Sequence, residues 1–405
     1  MILLSLAWRN LWRNTRRSVI VLTSVAIGVV ATVILDTLSR GMVFQMLNNQ
    51  VGSHVTHMQI HRAGFHKNPV IQSTIADSEQ IENVLRSDPD IVQYSRRVVT
   101  FGLLSSATNS SGVSIVGIDP ERERSLTTIR SYIVEGSYLT GAPREIVLGK
   151  ALAEKLEVGL GDRVVAMASA KDGTMGSELF RVAGLFETFS SEFDKTSIYV
   201  PRSSAQTMLA LGSEVSEFAM LVTDPDRLTE IAERLRGRLG EEYEVLPYMD
   251  LLPFLVLQIE LYDQSMVIFY VIVGIALIFG IINTMLMSVF ERIKEFGVLK
   301  AVGMKNGRIL IMVLTEALFL GMLGTVVGFL VGYLVYLPLS TSGLDLSAFS
   351  GSLRSFGVGA IIYPVLTAGV ITNALIIIPL MAVAGAVYPA VRAMRLEPVH
   401  AIRYV

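Results

Sequence analysis

Between Met266 and Phe290 the chain carries no charged residue, and between Ile309 and Leu339 only Glu316 interrupts an apolar run. Each stretch exceeds the roughly 20 residues that a helix needs to cross the hydrocarbon of a bilayer. The connection between them begins E-R-I-K-E-F-G-V-L-K-A-V-G, Glu291 to Gly303, and carries Glu291, Arg292, Lys294, Glu295, Lys300, Lys305 and Arg308. A loop so charged does not stay in lipid, so it emerges at a membrane surface.

Two further apolar runs, Ser18 to Leu35 and about Ala360 to Ala390, raise the number of expected spans to four. A mean hydropathy of +0.53 agrees with a membrane protein and excludes an ordinary soluble enzyme. Segments 1–17, 291–308 and 392–405 hold 12 Lys/Arg against 3 Asp/Glu, which leaves 22 basic and 33 acidic residues elsewhere. The positive-inside rule therefore places these three segments, and with them both termini, in the cytoplasm. A basic stretch precedes Ser18 to Leu35, but that run is too long for a signal-peptide core and no A-x-A-like site follows it. It is expected to be an uncleaved first span, with Asp36 and Arg40 at its outer end.

The expected fold class is a membrane α-helical protein of four transmembrane helices with a large inserted α+β domain. The layout is an amphipathic interfacial segment at 1–17 and a first span at 18–44, then the external domain at 45–250. A stalk and second span follow at 251–290, a cytoplasmic segment at 291–308 and a third span at 309–339. An outer loop at 340–359, a fourth span at 360–391 and a cytoplasmic tail at 392–405 complete it. In the inserted domain, alternation predicts strands at His54–His61, Val98–Leu103, Val113–Ile118, Arg163–Met167, Leu179–Phe186, Ser197–Val200 and Glu217–Val222. Helical spacing and caps predict helices at Asp77–Arg86, Gly149–Leu156, Ser203–Leu211 and Pro225–Leu239.

No nucleotide-binding or hydrolytic motif is present. L-G-K-A at Leu148 to Ala151 lacks the first glycine and the hydroxyl of a phosphate-binding loop, and neither G-x-S-x-G nor H-E-x-x-H occurs. Zero cysteines exclude thiolate chemistry and disulfides. His54, His57, His61 and His66 crowd together, but no second cluster completes a metal shell, so they read as exposed strand polars and no metal is expected. Glu316 is a candidate functional carboxylate because it lies within a span; about two turns inside the boundary, it equally fits an interfacial cap or ion pair. Gly321, Gly324, Gly328 and Gly332 form a ridge suited to close helix packing. In the Glu291 stretch, Ile293, Phe296, Val298, Leu299, Ala301 and Val302 lie among the charges, a pattern that favours a partner-binding helix over a passive turn.

E-R-I-K-E-F-G-V-L-K-A-V-G-M resembles the cytoplasmic segment between the second and third spans of the MacB/LolC/LolE/FtsX-type permeases of ABC transporters. Tyr388 to Arg403, Y-P-A-V-R-A-M-R-L-E-P-V-H-A-I-R, is similar to the closing motif of that family, and Arg144 to Val164 is similar to its periplasmic core domain. The resemblance implies a non-catalytic subunit in the bacterial inner membrane with its large domain in the periplasm. It also implies a second permease copy or a related permease, and two copies of a separate ABC ATPase that binds ATP and magnesium, this chain holding no cofactor. The ATPase would dock on Glu291, Arg292, Lys294, Glu295, Phe296, Gly297, Leu299, Lys300 and Gly303, and its cycle would move the periplasmic domains by mechanotransmission.

Members with the ATPase fused to the permease differ from this chain, in which a short amphipathic segment precedes the first span. The layout is nearest to lipoprotein-releasing members, which extract lipoproteins or other amphipathic substrates and pass them to a periplasmic carrier. Those members extend a hairpin toward the carrier at the point matched by Met167 to Phe180, where Lys171, Asp172 and Gly173 instead suit a short turn. Drug or peptide efflux with an adaptor and an outer-membrane channel, and regulation of periplasmic hydrolases without cargo, are the alternatives. Nothing points to a nucleic-acid partner.

Overall fold

The computed structural model describes residues 2–13, 15–355 and 357–398. Residues 399–405 of the expected tail, with Arg403 of the closing motif, lie outside the described residues. Contacts separate a membrane unit (residues up to Phe44, Ile259–Asp345 and the segment from Ile361 onward) from an inserted unit (Gln45–Gln258 with Leu346–Ala360).

Among the described residues four helices are long and apolar enough to cross a bilayer: Ser18–Val55, Pro253–Glu291, Asn306–Ser342 and Ala368–Met394. They are the first to fourth spanning helices. An amphipathic helix, Ile2–Arg13, precedes the first, and a short charged helix, Ile293–Ala301, stands between the second and third. Pro253 opens the second helix at a position where its missing N–H costs no hydrogen bond. The third helix continues to Ser342 and stops at Gly343, whose φ of 71° suits glycine. The fourth helix starts at Ala368 rather than at 360. Ile361–Ile362 instead pairs antiparallel with Leu344–Asp345, and Pro364 biases Tyr363 toward extended backbone and cannot donate into a helix.

The core of the membrane unit is built from residues four apart. Val21, Val25, Val29 and Val33 line one face of the first helix, and Ala374, Ile378, Ala382, Ala386 and Ala390 one face of the fourth. The glycines of the third helix meet both. A Cβ added at Gly321 would come 2.7 Å from Ala382 Cβ, one at Gly324 2.7 Å from Val25 Cβ, and one at Gly332 3.4 Å from Val33 Cβ. At Gly328 it would meet the carbonyl oxygen of Ala26 at 2.7 Å. Lipid offers no hydrophobic drive between helices, so this close fit is what holds them.

The inserted unit is organised by a ten-stranded sheet among the described residues. Its strands are β1 (Met58–Arg62), β2 (Ile91–Ser105), β3 (Ser110–Ile118), β4 (Ile133–Gly136), β5 (Glu145–Gly149), β6 (Arg163–Ser169), β7 (Met175–Phe186), β8 (Ser197–Pro201), β9 (Glu217–Val222) and β10 (Tyr243–Pro247). The order is β10-β1-β9-β2-β3-β8-β5-β7-β4, with β6 joining β2 to β7. The long strand β2 bridges two regions: Ile91 to Arg97 pairs with β9, and Val98 to Ser105 pairs with β3. Only the β3–β8 and β5–β7 pairings are parallel among the described strands. Ile81 and Leu85 of helix Ser78–Arg86, and Ile231 and Leu235 of helix Leu228–Leu239, join the core of this sheet. Asp172 and Gly173 form the tight β6–β7 turn, with Gly173 at φ 85° and the Asp172 carboxylate accepting the Thr174 N–H at 2.9 Å.

Two expectations fail around the histidines. His54 is not a strand residue: the first helix continues to Gln50, a π-helical turn covers Val51–Val55, and β1 begins only at Met58. Nor are the histidines exposed strand polars as a group, since β1 lies between β9 and β10 and is buried on both sides. His61 is 2% exposed and sits 3.3 Å from the Glu217 carboxylate, His57 accepts the Val222 N–H, and only His66 of the four is exposed.

Glu217 belongs to a buried ion cluster centred on Arg97, which also holds Glu123 and donates to the carbonyl oxygen of His54 at 2.6 Å. Burial pushes the Glu217 carboxyl up, but hydrogen bonding from His61 and the Arg97 charge outweigh this and hold it below the ordinary carboxylate range. Its contribution to stability is therefore complete above the unfolded carboxylate value and is lost as pH falls through the lower folded value.

Arg97→Met leaves two buried carboxylates without their cation, and thermal or denaturant unfolding of the purified chain should show a loss of about 3–5 kcal/mol. An unchanged midpoint would refute the role of the cluster. In the membrane unit, Gly328→Leu should cost about 1–3 kcal/mol by overpacking. Gly280→Leu is the control, because nothing lies within 4 Å of a Cβ there. Equal melting of the two variants in detergent would count against the packing account.

Candidate functional site

The Glu291 stretch folds as two tight turns around one short helix. The second spanning helix ends at Glu291, Arg292 leaves helical geometry at φ −107° and ψ 16°, and helix Ile293–Ala301 follows. Gly303, at φ 98°, then reverses the chain toward the third spanning helix. Ile293, Phe296 and Gly297, three and four residues apart, fall on one face and are buried. Phe296 is 1% exposed and joins a cluster with Leu11, Ile309, Met312, Ala390 and Ala393.

The sequence-derived set therefore divides. Glu291, Lys294, Glu295 and Gly303 are exposed, as are Val298 and Val302, at 51% and 84%. Arg292, Leu299 and Lys300 are half-buried, and Phe296 and Gly297 face inward. The inward residues anchor the helix. The outward ones form the available surface.

Three polar links tie this helix to the rest of the membrane unit. Arg13 of the amphipathic helix pairs with Glu295, which also accepts from Arg292 Nε at 3.1 Å. Arg292 reaches in the other direction to Glu316 of the third spanning helix, 3.1 Å from Nη1 to Oε2, and its guanidinium lies 5.4 Å from the centre of the Phe296 ring. Lys300 Nζ donates to the carbonyl oxygens of Met394 and Leu396 at 2.8 and 2.6 Å, where the fourth spanning helix ends. An ammonium there satisfies orphaned carbonyls and complements the helix dipole.

Partial burial pushes the Glu295 carboxyl up, but hydrogen bonds from Arg13 and Arg292 outweigh this and hold it below the ordinary carboxylate range, so it is ionised at neutral pH. Beside the pair lies a 470 Å³ cavity lined by Arg13, Glu295, Val298, Leu299 and Met312 among others. Its lining combines the charges of Arg13, Arg292, Lys294 and Glu295 with the apolar Val298, Leu299 and Met312.

Sequence reasoning missed Arg13 and Met312 as parts of this site. Arg13 lies 282 residues from Glu295 and nothing local marks the pairing. The alanine row of the fourth helix carried a signal, small residues four apart, that could have been found.

A model of the MacB-like periplasmic core domain matches residues 18–238, and a model of the FtsX-like permease C-terminal region matches residues 267–398. The macrolide export ATP-binding/permease protein MacB of Nitrobacter winogradskyi is 25% identical over 96% of this chain, which spans 58% of that protein's length. The uncharacterized ABC transporter permease YvrN of Bacillus subtilis is 24% identical over 98% of both chains. The lipoprotein-releasing system transmembrane protein LolC of Xylella fastidiosa is 25% identical over 78% of this chain and 79% of its own. With both models matched in order and the four spanning helices in place, the chain belongs to the MacB/LolC/FtsX family of ABC transporter permeases.

Proposed function

We propose that this chain is the membrane subunit through which a separate ABC ATPase drives movement of a periplasmic domain, and that the short charged helix is the ATPase docking surface. One observation carries the reading. Lys294 and Val298 are exposed on a helix, with Val302 exposed at its C-terminal cap, that is tied through Glu295, Arg292 and Lys300 to the amphipathic helix, the third spanning helix and the end of the fourth. Force applied to the exposed face is thereby shared among those elements. Glu316 acts in this scheme as the anchor for Arg292, and Gly321, Gly324, Gly328 and Gly332 keep the helices close enough to move together.

The excess of Lys and Arg in segments 1–17, 291–308 and 392–405 supports a cytoplasmic location for the charged helix and both termini, with the inserted domain in the periplasm of a bacterial inner membrane. ATP and magnesium belong to the partner, in two copies with a permease dimer. The substrate class proposed is lipoproteins or other amphipathic molecules of the inner membrane, in line with the lipoprotein-releasing relative. Export of drugs or peptides is the second reading, favoured by the macrolide-exporting relative.

Docking and coupling separate experimentally. Val302→Asp puts a charge on the most exposed apolar residue of the helix and should reduce co-purification of the ATPase about tenfold, a loss of ~1.4 kcal/mol. Lys300→Met keeps that surface but releases the end of the fourth helix. It should leave co-purification intact while uncoupling ATP hydrolysis from substrate extraction in proteoliposomes. Full ATPase recovery with Val302→Asp would sink the docking assignment, and wild-type extraction with Lys300→Met would sink the coupling route.

A further inference from the structure

The inserted unit holds a 270 Å³ cavity where the first helix ends, lined by residues of that helix end, the segment after β7 and Gly357. The backbone beside it is unusual. The π-helical turn Val51–Val55 stops at Thr56, whose φ of 68° and ψ of −176° are strained for a β-branched residue. Thr56 is locked there by its hydroxyl, which donates to the Met58 carbonyl oxygen and accepts the Met220 N–H. Strain and π turns of this kind concentrate at functional sites. Their effect here is to hold the His54 ring against Phe193, stacked with centroids 4.5 Å apart. That ring pair separates the cavity from a second one of 240 Å³ lined in part by Arg97 and Glu217.

The chemistry left on the cavity wall is one-sided. Its donors are largely committed within the protein: Asn49 Nδ2 to the Gly357 carbonyl oxygen at 3.1 Å, Thr188 Oγ1 to Asp194 at 2.7 Å, and Thr196 Oγ1 to the Glu192 carbonyl oxygen at 2.8 Å. No lysine or arginine is among the described residues lining it. Arg354, on the same segment as Gly357, is held by Glu187. Beside them the wall carries the Phe189 ring, the part of the Phe193 ring not covered by His54, and the Glu192 carboxylate, which has no ion pair among the described residues. π faces and a carboxylate without a competing cation attract positive charge.

We propose that this cavity binds a small organic ammonium ion with an apolar or aromatic body, its charge toward Glu192 and its body against the phenylalanine rings. The site is separate from the charged helix, so its success or failure leaves the docking assignment untouched. A cavity of this volume takes a compact amine and excludes a large one.

The test is isothermal titration of the full-length chain in detergent with benzyltrimethylammonium, and with phenylacetate as a ring of opposite charge. Saturable binding of the cation alone is expected, weakened about threefold to thirtyfold in Glu192→Gln and in Phe193→Ala, the range spanned by cation attraction to carboxylates and rings. Glu192 is exposed, so its variant keeps the fold even if loss of the Phe193 ring does not. Absence of saturable cation binding, equal binding of phenylacetate, or unaltered affinity in Glu192→Gln would each overturn the proposal.

Discussion

A carboxylate 6% exposed among apolar helices has to be compensated, and Glu316 is compensated by Arg292. The desolvation of such a pair nearly cancels its attraction, so its main effect is on geometry. Arg292 stands at the turn between the second spanning helix and the charged helix, so the pair sets the direction in which the chain leaves that turn. The rest follows from that direction. Phe296 comes under the guanidinium and into the apolar cluster, Glu295 comes to Arg13, and Lys300 comes to the carbonyls at the end of the fourth helix.

Small side chains do in the middle of the membrane unit what charges do at this end. The third helix offers glycine to alanine at Gly321 and Ala382, then glycine to valine along the first helix. Dispersion between closely fitted surfaces is the main attraction available where lipid is as apolar as the side chains. A packed interface of this kind has few alternative arrangements.

Features that depend on local composition were legible in the sequence. Uncharged runs located the spans, and alternation located seven strands, although β2 proved much longer than Val98–Leu103 because its first half pairs with a different neighbour. Strands β4, β5 and β10 were missed, β4 as a four-residue strand at the end of the sheet order and the other two for further physical reasons. Ile146, Val147 and Leu148 are continuously buried, with β7 and β8 on either side, so no alternation marks them. β10 is five residues whose place is fixed by pairing with β1, far away in sequence. The charged helix was legible as an amphipathic pattern, but its inward and outward faces were not. That division depends on where Ile309, Met312 and Ala390 lie, which a local window cannot contain.

Arginine performs the same task in both units. Arg292 joins Glu295 to Glu316, and Arg97 joins Glu123 to Glu217 while also reaching the His54 carbonyl oxygen. In each case one guanidinium serves partners on different elements. Its five fixed donors allow this, whereas a lysine ammonium is a compact point charge without that fork. At Arg97 the carboxylates come from β9 and from helix Pro120–Glu123, so the fork fixes where that helix sits against the sheet. At Arg292 they come from the charged helix and from a spanning helix, so the fork fixes an element with an exposed outer face. The same interaction therefore gives a closed core in one unit and, in the other, a presented surface. The difference is that Arg97 and both its carboxylates are buried, while Glu295 is exposed.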